Sequence, residues 1–377
     1  MTVIASYDIY GCKVLLADTL ITSQQENEST LVLPTLGERS STIADSNAYI
    51  AGNLQKIQIL SDYCAIAYAG KVSLAHQFIT ALSEILKERT LSISDIENTY
   101  TNIDKNNELA IIYLYNIGDE KIISGGLNCK NTISDTLGKV IYQGSGGQAI
   151  TDYIRWLDNN PNMHQQPSDD ELVAHSVCVA IQQIAQLKLA EISSNNNPES
   201  IKDLFGSGYE IVSFYDGKFN KIDLTYAFIE LTHNPITSYV NINDPYLILS
   251  NYMEDGFLIH ERYQIDNYDY LRNINSVEYH YNQIITPSLL NINKTIQNTT
   301  QKNKLNQLNF CCFIFHDNFK YGYEMCQLII MRSDAPPIRI KKRKEGNLYQ
   351  VYYTEQTKDR LIKFVEKNYV KAKVPTI

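Results

Sequence analysis

A chain of 377 residues is long enough for two to three domains, or for one large domain carrying insertions. Its 33 Lys and Arg against 42 Asp and Glu leave a net charge of -9, so composition gives a general nucleic-acid-binding surface no support. With 44% hydrophobic residues, 20% charged residues and a mean hydropathy of -0.26, wholesale disorder is excluded and large buried cores are within reach.

No run comes near the roughly 18 consecutive apolar residues of a membrane span. The opening MTVIASYDIY also lacks the basic region and small-residue cleavage site of a secretory signal, so a cytoplasmic protein without a membrane partner is expected. Cysteines stand at 12, 64, 129, 178, 311, 312 and 326, an odd set without a CxxC pair, and read as reduced, buried small hydrophobes. The adjacent Cys311 and Cys312 would face opposite sides of a strand, and the histidines show no HExxH-type spacing, so neither a metal nor a cofactor is expected.

The elements follow in chain order. Thr2 to Ser6 and Lys13 to Asp18 predict a hairpin broken at Gly11. Residues 23–48 are polar around one apolar island and read as an inserted surface loop or short extra hairpin. Strands are expected over 49–60 and 63–69, closed by Gly70. Apolar positions from Val72 to Leu86 recur at helical spacing and predict an amphipathic helix over Lys71 to Arg89. Three strands (108–117, 121–127, 139–144), a helix from about Gln148 to Leu157, and a long helix to about Ile192 come next. The last is announced by the capping-box pattern of Ser168 and Glu171. Strands over 209–224 turn at Asp216-Gly217.

Strand groups separated by helix groups fit two stacked antiparallel sheets better than a parallel sheet, so the expected class is α+β: a four-layer α/β/β/α sandwich over residues 1–235, with 23–48 inserted. From about 236 the chain turns Asn- and Tyr-rich. A four-strand meander (310–317, 323–332, 338–344, 348–354) and a helix from Glu355 to about Tyr369 predict a smaller C-terminal α+β unit over 236–377. The basic run 339–344 alternates with Ile338 and Ile340 and reads as a solvated strand edge, while the mildly biased run near 297 carries no function.

The chemistry starts at the second residue. Initiator methionine is removed when a small residue follows, so the mature chain can begin with the free amine of Thr2. A threonine hydroxyl needs a neighbouring base before it becomes a nucleophile. An α-amine, with a reference pKa of about 7.7 to 8.0, is substantially neutral near pH 7.5 after a small downward shift and sits on the same residue. A nearby buried lysine would lower that pKa further and favour the developing alkoxide. A second residue that merely starts an edge strand is the plain alternative.

The segments MTVIASYDIYGCKVLLADTLIT, NLQKIQIL, CAIAYAGK and IYQGSGGQA, in this order and spacing, resemble the proteasome β-type family and most closely its bacterial HslV (ClpQ) branch, over residues 2 to 232. The resemblance implies an N-terminal-nucleophile (Ntn) hydrolase of α/β/β/α build. It makes Thr2 the nucleophile, Lys56 the catalytic lysine and Asp18 the partner of that lysine. Gly70 would supply an oxyanion-hole N–H, Ser145 would hydrogen-bond the terminal amine, and Asp203 would complete that network. Two departures stand out: Asp18 and Lys56 are further apart than usual, by the 23–48 insertion, and Gly206 occupies the serine position three residues after Asp203, with Ser207 one step later. Each residue also has a structural reading, as an ion pair (Asp18 and Lys56), a turn residue (Ser145) or a loop cap (Asp203).

The resulting expectation is a threonine-type endopeptidase acting on peptide or unfolded-protein substrates, within a homo-oligomeric ring, with an AAA+ unfoldase as partner by kinship. The alternative is a catalytically inactive relative that uses the Tyr-rich C-terminal unit for partner contacts.

Overall fold

The structure, a computed structural model, describes residues 2–25, 29–43, 46–160, 167–193, 198–234, 239–265, 279–291, 309–317, 325–332, 337–342, 349–368 and 372–373. The chain opens with β1 (Ile4–Ile9) and β2 (Cys12–Asp18), joined through Tyr10 and Gly11, both in the left-handed region that a two-residue hairpin demands. Next come β3 (Leu20–Ser23), β4 (Thr30–Leu33), β5 (Gly37–Ser40), β6 (Tyr49–Asn53), β7 (Ile57–Ser61) and β8 (Cys64–Gly70). Helices α1 (Val72–Glu88) and α2 (Ile93–Ile103) precede β9 (Leu109–Asn116), β10 (Ile122–Leu127), β11 (Lys130–Ser134) and β12 (Gly138–Gln143). Helices α3 (Gly147–Asp158), α4 (Leu172–Ser193) and the single turn α5 (Glu199–Lys202) lead to β13 (Tyr209–Tyr215) and β14 (Lys218–Lys221).

The chain divides into two compact units. The first runs to Ile222 and takes back Tyr252–Leu258 and a segment that starts at Ile285; the second holds Asp223–Asn251, Ile259–Ile284 and the C-terminal part. The division thus falls earlier than the boundary expected at 235, and the chain crosses it more than once. In the first unit a six-stranded sheet has the order β11-β12-β1-β2-β13-β14, and a four-stranded sheet the order β10-β9-β8-β7. Ile4, Leu15, Ala67, Ile112 and Val212, drawn from both sheets, share one core. Helix α4 lies along β2 and β13.

The second unit is built on a ten-stranded sheet formed by β15 (Asp223–Asn234), β16 (Tyr239–Ile242), β17 (Tyr246–Tyr252), β18 (Leu258–Ile265), β19 (Tyr279–Thr286), β20 (Asn309–Asp317), β21 (Met325–Arg332), β22 (Ile338–Lys342), β23 (Tyr349–Tyr353) and β24 (Ala372–Lys373). Helix α6 (Glu355–Asn368) contributes Leu361 and Val365 to a core with Phe313, Phe315 and Tyr353. The expected four-strand meander is not formed. β20 pairs in parallel with β15, so the hairpins β20–β21 and β22–β23 close opposite ends of the order β21-β20-β15-β17-β18-β19-β23-β22.

The expected fold class is corrected. The protein is mostly β, with 48% strand against 29% helix in curled sheets and only six helices among the described residues, and is not a four-layer α/β/β/α sandwich with a small appendage. The stretch 23–48 forms a short hairpin, β4–β5, one of the two forms expected for it. The Asn- and Tyr-rich stretch is where polarity hides strands: it contains β16 to β19, because Tyr, Ile and Val suit a pleated surface whatever the Asn content between them. Helix α2 is not among the expected elements, although its cap is legible: Ser92 accepts from Asp95 N and Asp95 reaches back to Ser92 N. The expected strand 49–60 is broken at Leu54–Lys56. In the basic run, Arg339, Lys341 and Lys342 are exposed on the edge strand β22; residues 343–344 and the biased run 297–307 lie outside the described residues.

Candidate functional site

Register brings the site together. Ile4 pairs with Ala17, so the residues just before β1 face the end of β2, where Asp18 N donates to Val3 O at 3.1 Å. Lys56 reaches the same point from the break between β6 and β7, which Leu54 N anchors on Thr19 O at 2.8 Å. Thr2, Asp18 and Lys56 are 1%, 0% and 2% exposed.

Lys56 Nζ donates to Thr2 Oγ1, to Asp18 Oδ1 at 2.7 Å and to Leu20 O at 2.7 Å, which uses all three of its protons. Thr2 Oγ1 donates in turn to Asp18 Oδ1. Asp18 also accepts from Val3 N at 2.9 Å, Leu20 N at 3.2 Å and Gly206 N at 2.9 Å, so its buried carboxylate is held from both strands and from the loop before β13. Burial pushes the Lys56 ammonium below its ordinary range and the Asp18 carboxylate pulls it back, so one lysine is poised between a hydroxyl and its counter-ion.

Thr2 and Lys56 line a cavity of about 20 Å³ together with Thr22, Gly70 and Val72, room for about one water. Gly70 has a φ of +105°, and an added Cβ would lie 2.1 Å from Glu108 O. The crowding that enforces glycine here therefore comes from the neighbouring strand rather than from a substrate. At Gly144 an added Cβ would lie 2.0 Å from Thr2 O, which is why the turn after β12 can close on the start of the chain.

Two expected roles are not seen. Ser145 Oγ donates to the Thr2 carbonyl at 3.4 Å, beside Gly146 N at 3.2 Å, rather than to the nitrogen of Thr2. Asp203 is exposed at the end of α5, and its carboxylate takes no part in the cluster; three residues on, the backbone N–H of Gly206 contacts Asp18 instead. The displaced serine noted in the sequence thus coincides with a main-chain donor. Met1 lies outside the described residues.

Sequence reasoning missed a second layer. Glu210 is fully buried in β13 and accepts from Lys56 N at 2.6 Å and Ile57 N at 3.2 Å, while Lys221 donates to its other oxygen. An acid inside the largely apolar YEIVSF, and a lysine in the strand paired with it, were the available signals. It also missed a further buried lysine. In α4, Lys188 donates to Thr35 Oγ1 at 2.9 Å and Ser207 O at 3.2 Å, and Glu191, one turn on, accepts from Ser207 N at 3.1 Å and Tyr209 OH at 2.9 Å. That helix is long and apolar enough to cross a membrane by length and composition, but half of it is buried within the fold and it packs on β2 and β13.

Among the described residues no group of three His, Cys, Asp or Glu side chains gathers as a metal site. The arrangement is suited to activating a hydroxyl: a buried ammonium and a carboxylate share one threonine oxygen at the edge of a cleft. Compared with family models and with curated proteins, the chain matches none.

Proposed function

We propose that this chain is a threonine-type endopeptidase, an N-terminal-nucleophile hydrolase of the proteasome β-type and HslV kind, acting on peptide or unfolded-protein substrates. One observation carries the reading: Lys56 Nζ is hydrogen-bonded to Thr2 Oγ1, with Asp18 bridging the two. Removal of Met1 frees the Thr2 amine, which takes the hydroxyl proton as Oγ1 attacks a peptide carbonyl. Lys56 stabilises the developing charge on Oγ1, and the N–H of Gly70, on the wall of the same cavity, donates to the oxyanion. The amine then passes its proton to the leaving nitrogen and the C–N bond breaks, leaving an ester on Thr2. A water that gives its proton to the amine hydrolyses that ester. A cytoplasmic homo-oligomeric ring fed by an AAA+ unfoldase is the setting that the resemblance suggests.

A second reading is an inactive relative that uses the second unit for partner contacts. The exposure of Asp203 and the contact of Ser145 with the Thr2 carbonyl favour it, since neither is on the amine. Intact mass of the native chain and a peptide electrophile directed at terminal threonine decide between the two. The peptidase reading expects loss of Met1 and one adduct on Thr2, abolished in Thr2→Ala. A retained Met1, or labelling undiminished in Thr2→Ala, sinks it.

A further inference from the structure

Lys56 sits in irregular backbone between β6 and β7, and what fixes that backbone is a side chain. Glu210 Oε2 accepts from the N–H groups of Lys56 and Ile57 at 2.6 and 3.2 Å. Its Oε1 accepts from Lys221 Nζ and, at 3.4 Å, from Tyr252 OH. Lys221 Nζ also donates to Ile57 O at 2.6 Å, so the ion pair holds the stretch by its N–H and its C=O groups at once. On the other side, Gln55 is tied to segments that return from further along the chain: its Nε2 donates to Gly256 O and Thr286 O at 2.8 Å, and its N to Pro287 O at 2.9 Å.

A buried ion pair is a weak source of stability, because desolvation offsets most of its attraction. What Glu210 supplies instead is an acceptor at the one place where Lys56 needs one. All three protons of the Lys56 ammonium are committed to acceptors, two of them at 2.7 Å, so its aim depends on where its own backbone is held.

We propose that Glu210, locked by Lys221, is a positioning residue that sets the Lys56 backbone and so aims its ammonium at Thr2 Oγ1. The inference rests on the threonine-peptidase reading for its catalytic consequence. In the full chain, Glu210→Ala should lower kcat on a fluorogenic peptide, and the rate of Thr2 labelling by a threonine-directed electrophile, about 100-fold with KM within about threefold. The neutral pair Glu210→Gln with Lys221→Met keeps the carbonyl acceptor and should recover at least about tenfold of that loss. A folded Glu210→Ala variant within about threefold of the parent rate overturns the proposal, as does a folded double variant with no recovery. If Glu210→Ala does not fold, the double variant decides alone: a rate within about tenfold of the parent supports the proposal, and a larger loss in the folded double variant overturns it. If the parent chain is never labelled at Thr2, the peptidase reading has failed and positioning is judged by crystallography of Glu210→Ala: displacement of Lys56 Nζ out of hydrogen-bond reach of Thr2 Oγ1 supports it, and an unmoved ammonium overturns it.

Discussion

Two buried lysines of the first unit keep nearly the same company. Lys56 donates to the hydroxyl of Thr2, a carboxylate and the carbonyl of Leu20; Lys188 donates to the hydroxyl of Thr35 and the carbonyl of Ser207, with Glu191 one helical turn on. Thr2 and Thr35 are 1% and 2% exposed. The difference is topological. Thr2 borders a cavity and, in the proposed mechanism, supplies an amine once Met1 is removed, whereas Thr35 lies mid-chain and donates its hydroxyl to Ser207 O. A lysine beside a hydroxyl is therefore only half of a nucleophile; the other half is a base and a way in for the substrate.

The comparison breaks most sharply at the threonines. Thr2→Ala should reduce labelling by an electrophilic threonine probe at least about a thousandfold. Thr35→Ala should leave the labelling rate within about threefold while lowering unfolding stability by about 1–3 kcal/mol, because Lys188 and Ser207 O lose a buried partner. Equal losses of labelling in the two variants would erase the distinction between the two pairs.

The lysines give the next largest effects. Removing the Lys56 ammonium leaves the buried Asp18 carboxylate without its counter-ion, so Lys56→Ala should cost about 3–5 kcal/mol in denaturant unfolding; Lys188→Met, which deprives Thr35 and Ser207 O of a buried donor, should cost about 1–3 kcal/mol. Only Lys56→Ala should also slow labelling of the folded fraction, by about 100-fold.

A pH titration sharpens the contrast on the sealed side. Burial lowers the Lys188 pKa from 10.5 to about 8. Between those values the unfolded chain holds a proton that the folded chain has released, so the share of stability due to Lys188 rises with pH across this window, by about 3 kcal/mol in all. Below about 8 both states are protonated and the share is flat at its least favourable level. Denaturant midpoints from pH 7.5 to 10 should rise less steeply in the neutral pair Lys188→Met with Glu191→Gln than in the parent; identical slopes would argue against a depressed Lys188.

The smallest effect is expected at the rim of the cavity. Gly70→Ala forces a Cβ against Glu108 O at a φ that L-residues seldom adopt, so it should cost about 1–3 kcal/mol in a thermal melt and slow labelling through the shifted main chain.

Much of the core of the site is legible in the amino-acid order. The hairpin through Tyr10 and Gly11 and the strand ending at Asp18 are read from the residues themselves, the resemblance of the short motifs singles out Asp18 and Lys56 beside Thr2, and all three meet in the fold. The same motifs point to Ser145 and Asp203, yet one bonds the wrong atom of Thr2 and the other faces solvent. A motif conveys residue type and spacing, whereas a donor's aim depends on loop geometry, here the turn at Gly144 and the loop at Gly206. Glu210 stays hidden because its partner Lys56 is 154 residues away and nothing near it in the chain reports that contact.

The amino-acid sequence alone determined what nearest neighbours decide: where the hairpins at Tyr10-Gly11 and Asp216-Gly217 turn and where helix α1 shows its apolar face. Those outcomes rest on dihedral preference and side-chain periodicity within a few residues. The tertiary structure alone decided that the Asn- and Tyr-rich stretch would enter mainly β architecture, that the chain would return to brace Gln55, and that Thr2 and Lys56 would share the wall of a cavity. Such choices depend on which distant strands pair and what they bury, and a long-range pairing leaves little local trace.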